Sequence, residues 1–167
     1  MLLKTTRSDP AAAAGALHLR RRAAARMLVL DPGGKLLLFR FMHVRGALAG
    51  QDFWATPGGG VEVGETHTEA AIRELRQETG IHAERLDAPV AHCETVLQLP
   101  DGESVIADEH YFVVRAQDRA LTRDQWSVRE AEVMVAQHWW TAAELESTTD
   151  TVWPANLPAM LRNAGCW

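Results

Sequence analysis

Apolar residues occur along the chain in short runs that are separated by glycine- and proline-containing turns. Residues 23–30 (AAARMLVL) and 35–41 (KLLLFRF) flank the turn sequence DPGG. Residues 91–99 (AHCETVLQL) and 105–116 (VIADEHYFVVRA) flank the turn sequence PDG. Two strand-like runs around a glycine-bearing loop are typical of a β-hairpin, so we predict two hairpins. Shorter apolar runs at residues 53–56 and 138–140 predict two further strands.

Residues 66–79 predict a long helix with both ends marked in the sequence. Thr66 is a good N-cap, and Glu69 three residues later completes a capping box. Gly80 stands where a C-terminal glycine ends a helix. Two shorter helices are expected near the C-terminus: one opened by Thr141, and one over residues 154–162 with its proline in the first turn.

A glycine-rich turn, TPGGG at residues 56–60, leads into the long helix. Glycine and proline at this density argue against a regular strand or helix there. On the helix, residues three or four apart share a face, which predicts an apolar stripe of Ala71, Ile72, Leu75 and Thr79. A neighbouring stripe contains Glu74, Gln77 and Glu78. Carboxylates beside free backbone groups are a plausible site for a hard divalent cation, which prefers oxygen ligands.

Residues 59–81 resemble the signature of the Nudix hydrolases. In that family a glycine, five residues, a glutamate and seven residues precede Arg-Glu-apolar-x-Glu-Glu-x-Gly-apolar. The matching positions of this chain are Gly59, Glu65, Arg73, Glu74, Leu75, Glu78, Gly80 and Ile81. One position departs from the pattern, because Gln77 stands where the family has the first glutamate of the Glu-Glu pair.

The resemblance implies an α/β fold, a Nudix-type α/β/α sandwich around a mixed β-sheet, in one domain over residues 23–167. Residues 1–22 are alanine-rich and basic, and we expect them to form a loose N-terminal arm or the run-in to the first strand. The resemblance also implies a pyrophosphatase that cleaves a nucleoside diphosphate linked to another group, or a nucleoside triphosphate, with Mg²⁺ or Mn²⁺. By similarity, Glu74 and Glu78 are metal ligands, and the Gly59 carbonyl is a further candidate. Arg73 would hold the acids in place through charge-assisted hydrogen bonds.

Two residues of the signature leave alternatives open. Glu65 either braces the loop or binds the metal. Gln77 can coordinate through its amide oxygen but brings no charge, so the site would have lower metal affinity or one metal position fewer. An alternative is a catalytically silent Nudix-fold module that binds a nucleotide without cleaving it. Because Glu74 and Glu78 remain, we favour hydrolysis.

Hydrolysis also needs a base, which in Nudix relatives is often a glutamate on a later loop. Residues 122–133 are the predicted loop, with Glu132 placed ahead of Glu130, and solvated loop acids are the competing interpretation. Asp108 and Glu109 are weaker candidates, since strand alternation turns one of them inward. Two other side chains are candidates for substrate binding. Arg40 either binds a substrate phosphate or points outward, and Trp54 either stacks on a base or, as we prefer, packs in the core.

Composition and charge limit the classes of protein to which this chain can belong. At 167 residues and 47% hydrophobic content, the chain suits one domain with its own core. A net charge of −5 opposes a nucleic-acid-coating protein, and no run reaches the ~18 apolar residues of a membrane span. Cys93 and Cys166 lack CxxC spacing, which suggests a cytoplasmic protein without disulfides. The seven histidines lack zinc-type spacing, so no zinc site is predicted. A nucleotide is the expected partner, and a homodimer is possible.

Overall fold

The computed structural model of the protein describes residues 19–167. Residues 1–18 of the predicted arm therefore lie outside the described residues, and residues 20–22 belong to the first strand rather than to an arm. The strands are β1 (Arg20–Leu30), β2 (Leu36–Met42), β3 (Asp52–Ala55), β4 (Gly58–Gly60), β5 (Ala91–Gln98), β6 (Ser104–Arg115), β7 (Met134–Trp140) and β8 (Val152–Trp153). The helices are α1 (His67–Thr79), α2 (Val128–Val133), α3 (Ala142–Ser147) and α4 (Leu157–Asn163).

The strands form one mixed sheet. Its hydrogen-bonded order is β5-β6-β1-β2-β3-β8, with β4 paired to β1 and β7 paired to β2. β1 runs parallel to β6 along its whole length and antiparallel to β2, while β5 and β6 are antiparallel. Both predicted hairpins are confirmed.

Helices cover both faces of the sheet, so its central strands are apolar on both sides, as buried sheets require. Alternate residues of β1 face opposite ways: Met27 and Val29 pack towards α1, whereas Leu28 and Leu30 pack towards α3 and α4. The α1 side is completed by Ala70, Ala71, Leu75, Phe39, Phe112 and Met134. The predicted α/β/α sandwich around a mixed sheet is confirmed.

The predicted helices at residues 66–79 and 141 onward form with the expected capping boxes. The last helix starts later than predicted. It begins at Leu157, because the first-turn proline is Pro158 and the Pro154 carbonyl only accepts a turn bond from the Leu157 amide. Three further elements were not predicted from the sequence, namely the glycine strand β4, the two-residue strand β8 and the short helix α2.

Candidate metal and active site

The two stacked acids of α1 are buried against the glycine strand. Glu74 and Glu78 are 8% and 4% exposed, which is unusual for carboxylates. The helix that carries them starts at the Thr66 capping box and ends at Gly80 in the left-handed conformation. These two ends place the acids one turn apart on the side of α1 that faces β4.

The glycines of β4 let the backbone come within reach of the acids. The Gly58 amide donates a hydrogen bond of 2.7 Å to Glu78 Oε2. A Cβ atom on Gly59 would collide with the Glu74 carboxylate, and one on Gly58 would collide with the Ala25 carbonyl of β1. The TPGGG segment was expected to be irregular, which holds for Thr56 and Pro57 but is wrong for residues 58–60. Residues 58–60 form a strand paired with β1, and a Cβ atom at any of these glycines would collide with a neighbouring group.

Arg73 ties the helix to the loop that precedes it. Its guanidinium donates to both Glu65 oxygens at 2.8 and 2.9 Å, to Glu74 at 2.6 Å and to the Gly60 carbonyl at 2.9 Å. The hydrogen bonds from Arg73 hold the pKa of Glu65 below its usual range. Glu65 also accepts the Glu62 amide, so its two oxygens brace the loop.

Burial dominates the electrostatics of the two acids. It raises the pKa of Glu78 to about 8, and the negative charge of Glu74 adds to the rise. Burial also raises the pKa of Glu74, although the bond from Arg73 opposes it. Two carboxylates that are costly to ionise together fit a divalent cation, because its charge offsets both.

A third carboxylate completes this group. Oxygens of Glu74, Glu78 and Glu130 all lie within 4.8 Å of one another. Glu130 belongs to α2, where its Oε2 accepts the Ser127 amide in a capping box. Glu132, which was placed ahead of Glu130 from the sequence, is instead exposed and pairs with Arg45 at 2.6 Å. The structure therefore brings Glu130, and not Glu132, to the two acids.

Trp126 docks the segment that carries Glu130 onto the end of α1. Its indole N–H donates to the Glu78 carbonyl at 2.8 Å, and its ring packs edge-on against Phe39 with centroids 5.9 Å apart. The Thr122 amide also donates to the Thr79 carbonyl at 2.9 Å. These contacts hold residues 122–133 across the helix end.

The other predicted site residues have different surroundings. Gln77 accepts a bond of 3.2 Å from Arg73 and lines a surface groove with Arg76 and Gln125. Arg40 forms a two-bond ion pair with Asp52 at 2.7 and 2.8 Å, on a half-exposed strand position.

Trp54 and the two acids of β6 have structural partners as well. Trp54 packs in the core and donates to Asp150, as the packing interpretation expects. Glu109 is the inward residue of β6, and Asp108 lies on the opposite side of that strand.

Arg26 is a residue of this region that the sequence did not single out. It is paired with Glu109 at 2.9 Å, and it also donates to the Gly58 carbonyl at 3.2 Å. Glu109 in turn accepts the Tyr111 hydroxyl at 2.9 Å. An arginine within an otherwise apolar strand is the sequence signal that could have identified Arg26. Nothing in the sequence names Glu109 as its partner. These bonds hold the Arg26 guanidinium beside the glycine strand β4.

A model of the NUDIX domain matches residues 20–161. The chain is 44% identical over 59 residues to nucleoside triphosphatase NudI of Enterobacter sp. (strain 638), a match that covers 35% of this chain and 38% of that protein. It is 53% identical over 34 residues to an RNA pyrophosphohydrolase of Erythrobacter litoralis (strain HTCC2594), covering 20% of this chain and 21% of that protein. The matches thus span less than two fifths of either relative.

The solution structure of the E. coli ORF135 protein has the same fold, with a TM-score of 0.59 and 25% sequence identity. This match covers 87% of the present chain and 94% of that one. In residues 19–167, no helix is long and apolar enough to cross a membrane.

Proposed function

The chain belongs to the NUDIX domain family, and from this premise we propose that it hydrolyses a phosphoanhydride bond of a nucleoside triphosphate, or of a nucleoside diphosphate linked to another group. The observation that carries the proposal is the buried cluster of Glu74, Glu78 and Glu130 beside the glycine strand. The names of the two relatives, a nucleoside triphosphatase and an RNA pyrophosphohydrolase, support the same reaction class.

Glu74 and Glu78 would hold the divalent ion, with the Gly59 carbonyl as a further ligand from the facing backbone. Mg²⁺ or Mn²⁺, when bound, supplies positive charge that offsets the charge developing on the phosphoryl oxygens. Because a glutamate that binds a cation must be ionised, bound metal keeps Glu78 deprotonated at neutral pH.

Glu130 takes the role that the sequence assigned to a loop acid. One of its oxygens is held by the Ser127 amide, and the carboxylate lies beside Glu74 and Glu78. From this position it orients the attacking water or accepts its proton. Glu130 also brings back the negative charge that Gln77 lacks. This compensation favours hydrolysis over a silent nucleotide-binding module.

Arg73 positions the acids without contacting the substrate in this scheme. Its bonds to Glu65, Glu74 and the Gly60 carbonyl fix the geometry of helix and loop together. Such bracing matters because small displacements of reacting groups cost large factors in rate. Arg40 is less suited to a substrate phosphate than expected, since Asp52 already neutralises it.

The test is hydrolysis of a panel of nucleoside triphosphates and nucleoside diphosphate derivatives with Mg²⁺ or Mn²⁺, with products identified by mass spectrometry. We expect turnover by the wild type and losses of about 100-fold or more in Glu74→Gln, Glu78→Gln and Glu130→Gln. Glu84→Gln makes the same change at an exposed position and should retain activity. Saturable nucleotide binding without product under either metal ion would overturn hydrolysis in favour of a binding module.

We also propose that the reaction takes place in the cytoplasm. Both cysteines are free, which is in keeping with a reducing cytoplasm. We propose a nucleotide as the partner, because the family match and the two relatives that support the reaction also support a nucleotide substrate.

A further inference from the structure

Three histidines and an aspartate gather at the start of α1, at the opposite end of the helix from Glu78. His67 is the first residue of α1. Asp108 and His110 are alternate residues of β6 and so share a face of the sheet. His92 of β5 lies directly opposite His110 in the antiparallel pair. The spacing of histidines in the sequence predicts no zinc site, but the fold brings these residues together from three elements.

The side chains are close enough to share one ion. The rings of His67 and His110 stack with centroids 3.8 Å apart and planes 18° from parallel. A ring nitrogen of each histidine and a carboxylate oxygen of Asp108 lie within 4.8 Å of one another. Ligands about 2.1 Å from a common metal ion lie about 3 to 4 Å apart. Because a metal ion lies in the plane of each imidazole that binds it, the two stacked rings would have to turn about their Cβ–Cγ bonds before both could bind one ion.

One atom of this cluster has no partner in the described part of the chain. His67 Nε2 is buried and makes no hydrogen bond there. Buried polar atoms of native proteins almost always have a partner, and each exception calls for an explanation. A ligand at the cluster would provide that explanation.

The neighbouring groups prepare Asp108 as a ligand. His92 Nε2 lies 2.6 Å from Asp108 Oδ1, a hydrogen-bond distance that is too short for two ligands of one ion. Arg21 donates to Asp108 Oδ2 at 3.2 Å and also pairs with Glu94, which offsets the charge of the guanidinium. His92 and Arg21 therefore orient the carboxylate, as residues behind metal ligands commonly do.

His110 is suited to binding in its neutral form. Burial lowers the pKa of His110, and the nearby His67 and His92 lower it further. A neutral imidazole keeps a free lone pair, which is the form that binds metal ions.

We propose that His67, Asp108 and His110 form a second metal site, which binds a divalent transition-metal ion of the Zn²⁺ type. Two nitrogens and one oxygen favour such ions over Mg²⁺, which prefers oxygen ligands alone. Glu74 lies seven residues after His67, or roughly 10 Å along the helix axis, so this ion is separate from the one at the glutamates. Bound there, it ties the first turn of α1 to β6 and steadies the helix that carries the acids.

The test is calorimetric titration of the 167-residue protein with Zn²⁺ in saturating Mg²⁺, which competes for the glutamate site. We expect one Zn²⁺ per chain with a dissociation constant in the micromolar range or below, and a rise in Tm on binding. His67→Ala and His110→Ala should abolish this binding, and His92→Ala should weaken it about tenfold. His82→Ala, an exposed histidine elsewhere, is the matched control and should bind like the wild type.

Spectroscopy keeps the proposal testable if a variant does not fold. Co²⁺ added to the wild type should give the visible absorption of nitrogen–oxygen coordination, and Zn²⁺ should shift the NMR signals of these histidine ring nitrogens. The proposal is overturned if Zn²⁺ leaves those nitrogens unshifted, or if folded His67→Ala and His110→Ala variants bind Zn²⁺ like the wild type. Because the readout is binding under Mg²⁺, its failure is separate from any failure of hydrolysis.

Discussion

A side chain at position 59 would collide directly with the acidic site. The Gly59 backbone passes so close to the Glu74 carboxylate that any Cβ atom would displace it. Glu74 is held from the other side by Arg73 at 2.6 Å, so it has little freedom to move away. The approach of the chain to the acid, rather than a special backbone angle, therefore accounts for the glycine.

We expect Gly59→Ala to reduce Mn²⁺ affinity by about tenfold or more, because the carboxylate must leave its place among the metal ligands. Mn²⁺ binding followed by electron paramagnetic resonance measures this. Gly64→Ala is the control in the same loop. Gly64 has a φ of 81° but open space around it, so alanine there costs about 1–2 kcal/mol of backbone strain and leaves the acids in place. Equal Mn²⁺ affinity in wild type and Gly59→Ala would show that the glycine does not govern the site.

Glu130 supplies the third carboxylate of the site, whereas position 77 carries a neutral glutamine. Gln77 accepts a bond from Arg73, while Glu130 lies beside the two buried acids. If Glu130 is the functional replacement, Glu130→Gln should lower kcat by about 100-fold. Gln77→Glu should raise metal affinity by less than about tenfold, because Arg73 would share the added charge.

The double variant Gln77→Glu/Glu130→Gln is the informative comparison. Recovery of most of the wild-type kcat would mean that the two positions are interchangeable. We expect no such recovery, because Glu130 approaches from α2 and a residue at position 77 starts from α1. Steady-state hydrolysis at saturating Mg²⁺ provides the measurement.

The helix α1 shows how far local sequence determines an element. Thr66, Glu69 and Gly80 predicted both of its ends, because caps depend only on residues within one turn. The helix α2 has the same signal in Ser127 and Glu130, but a six-residue helix is hard to distinguish from a loop. The sequence therefore predicts Glu130 as a loop acid, whereas the structure places it in the first turn of α2.

Long-range pairs mark the limit of the sequence argument. Arg26 and Glu109 are 83 residues apart in sequence and meet only because β1 and β6 are parallel neighbours. Likewise, the sequence suggests a substrate phosphate or an outward orientation for Arg40, and it does not identify Asp52 as the partner. The chemistry of a residue can be read from its type, whereas its partner depends on strand register.

Trp126 connects the segment with Glu130 to α1 through one hydrogen bond and one aromatic contact. In Trp126→Phe the contact with Phe39 can persist while the bond to the Glu78 carbonyl is lost. We expect a stability loss of about 1 kcal/mol together with a fall in kcat, since Glu130 would be less well placed. Urea unfolding and steady-state kinetics measure the two effects.

Trp167→Phe is the matched control for this prediction. Trp167 also donates its indole N–H to a backbone carbonyl, that of Gly34 at 2.7 Å, on the other side of the sheet. The control should show a similar loss of stability with unchanged kcat. If both variants lose kcat equally, Trp126 contributes to stability alone.

For the molecule as a whole, the buried acids link metal binding to folding. Apolar residues pack on both faces of the sheet. On one face, the apolar stripe of α1 covers them, while the stripe with Glu74 and Glu78 faces β4. Helix burial thus brings Glu74 and Glu78 out of water. Without a bound cation, the two buried carboxylates lower the stability of the folded state. Such a loss is expected where the requirements of stability and function conflict.

The pH dependence of stability follows from this cost. The pKa of Glu78 is raised from 4.5 to about 8 in the folded state. Between these values the folded chain keeps a proton that the unfolded chain has released, so the free energy of unfolding falls as the pH rises. For metal-free protein the slope from this residue is at most about 1.4 kcal/mol per pH unit. His110, whose pKa is lowered, acts in the opposite sense below about pH 6.5.

Urea unfolding at pH 5, 6, 7 and 8 in EDTA, for wild type and Glu78→Gln, isolates the effect of Glu78, because contributions from His110 and other groups cancel in the difference. We expect Glu78→Gln to gain stability relative to the wild type as the pH rises, since glutamine has no proton to lose. Saturating Mg²⁺ should reverse that order by stabilising only the wild type, because ion binding favours the ionised carboxylate. A difference between the two proteins that stays constant from pH 5 to 8 in EDTA would mean that Glu78 is already ionised in the metal-free fold.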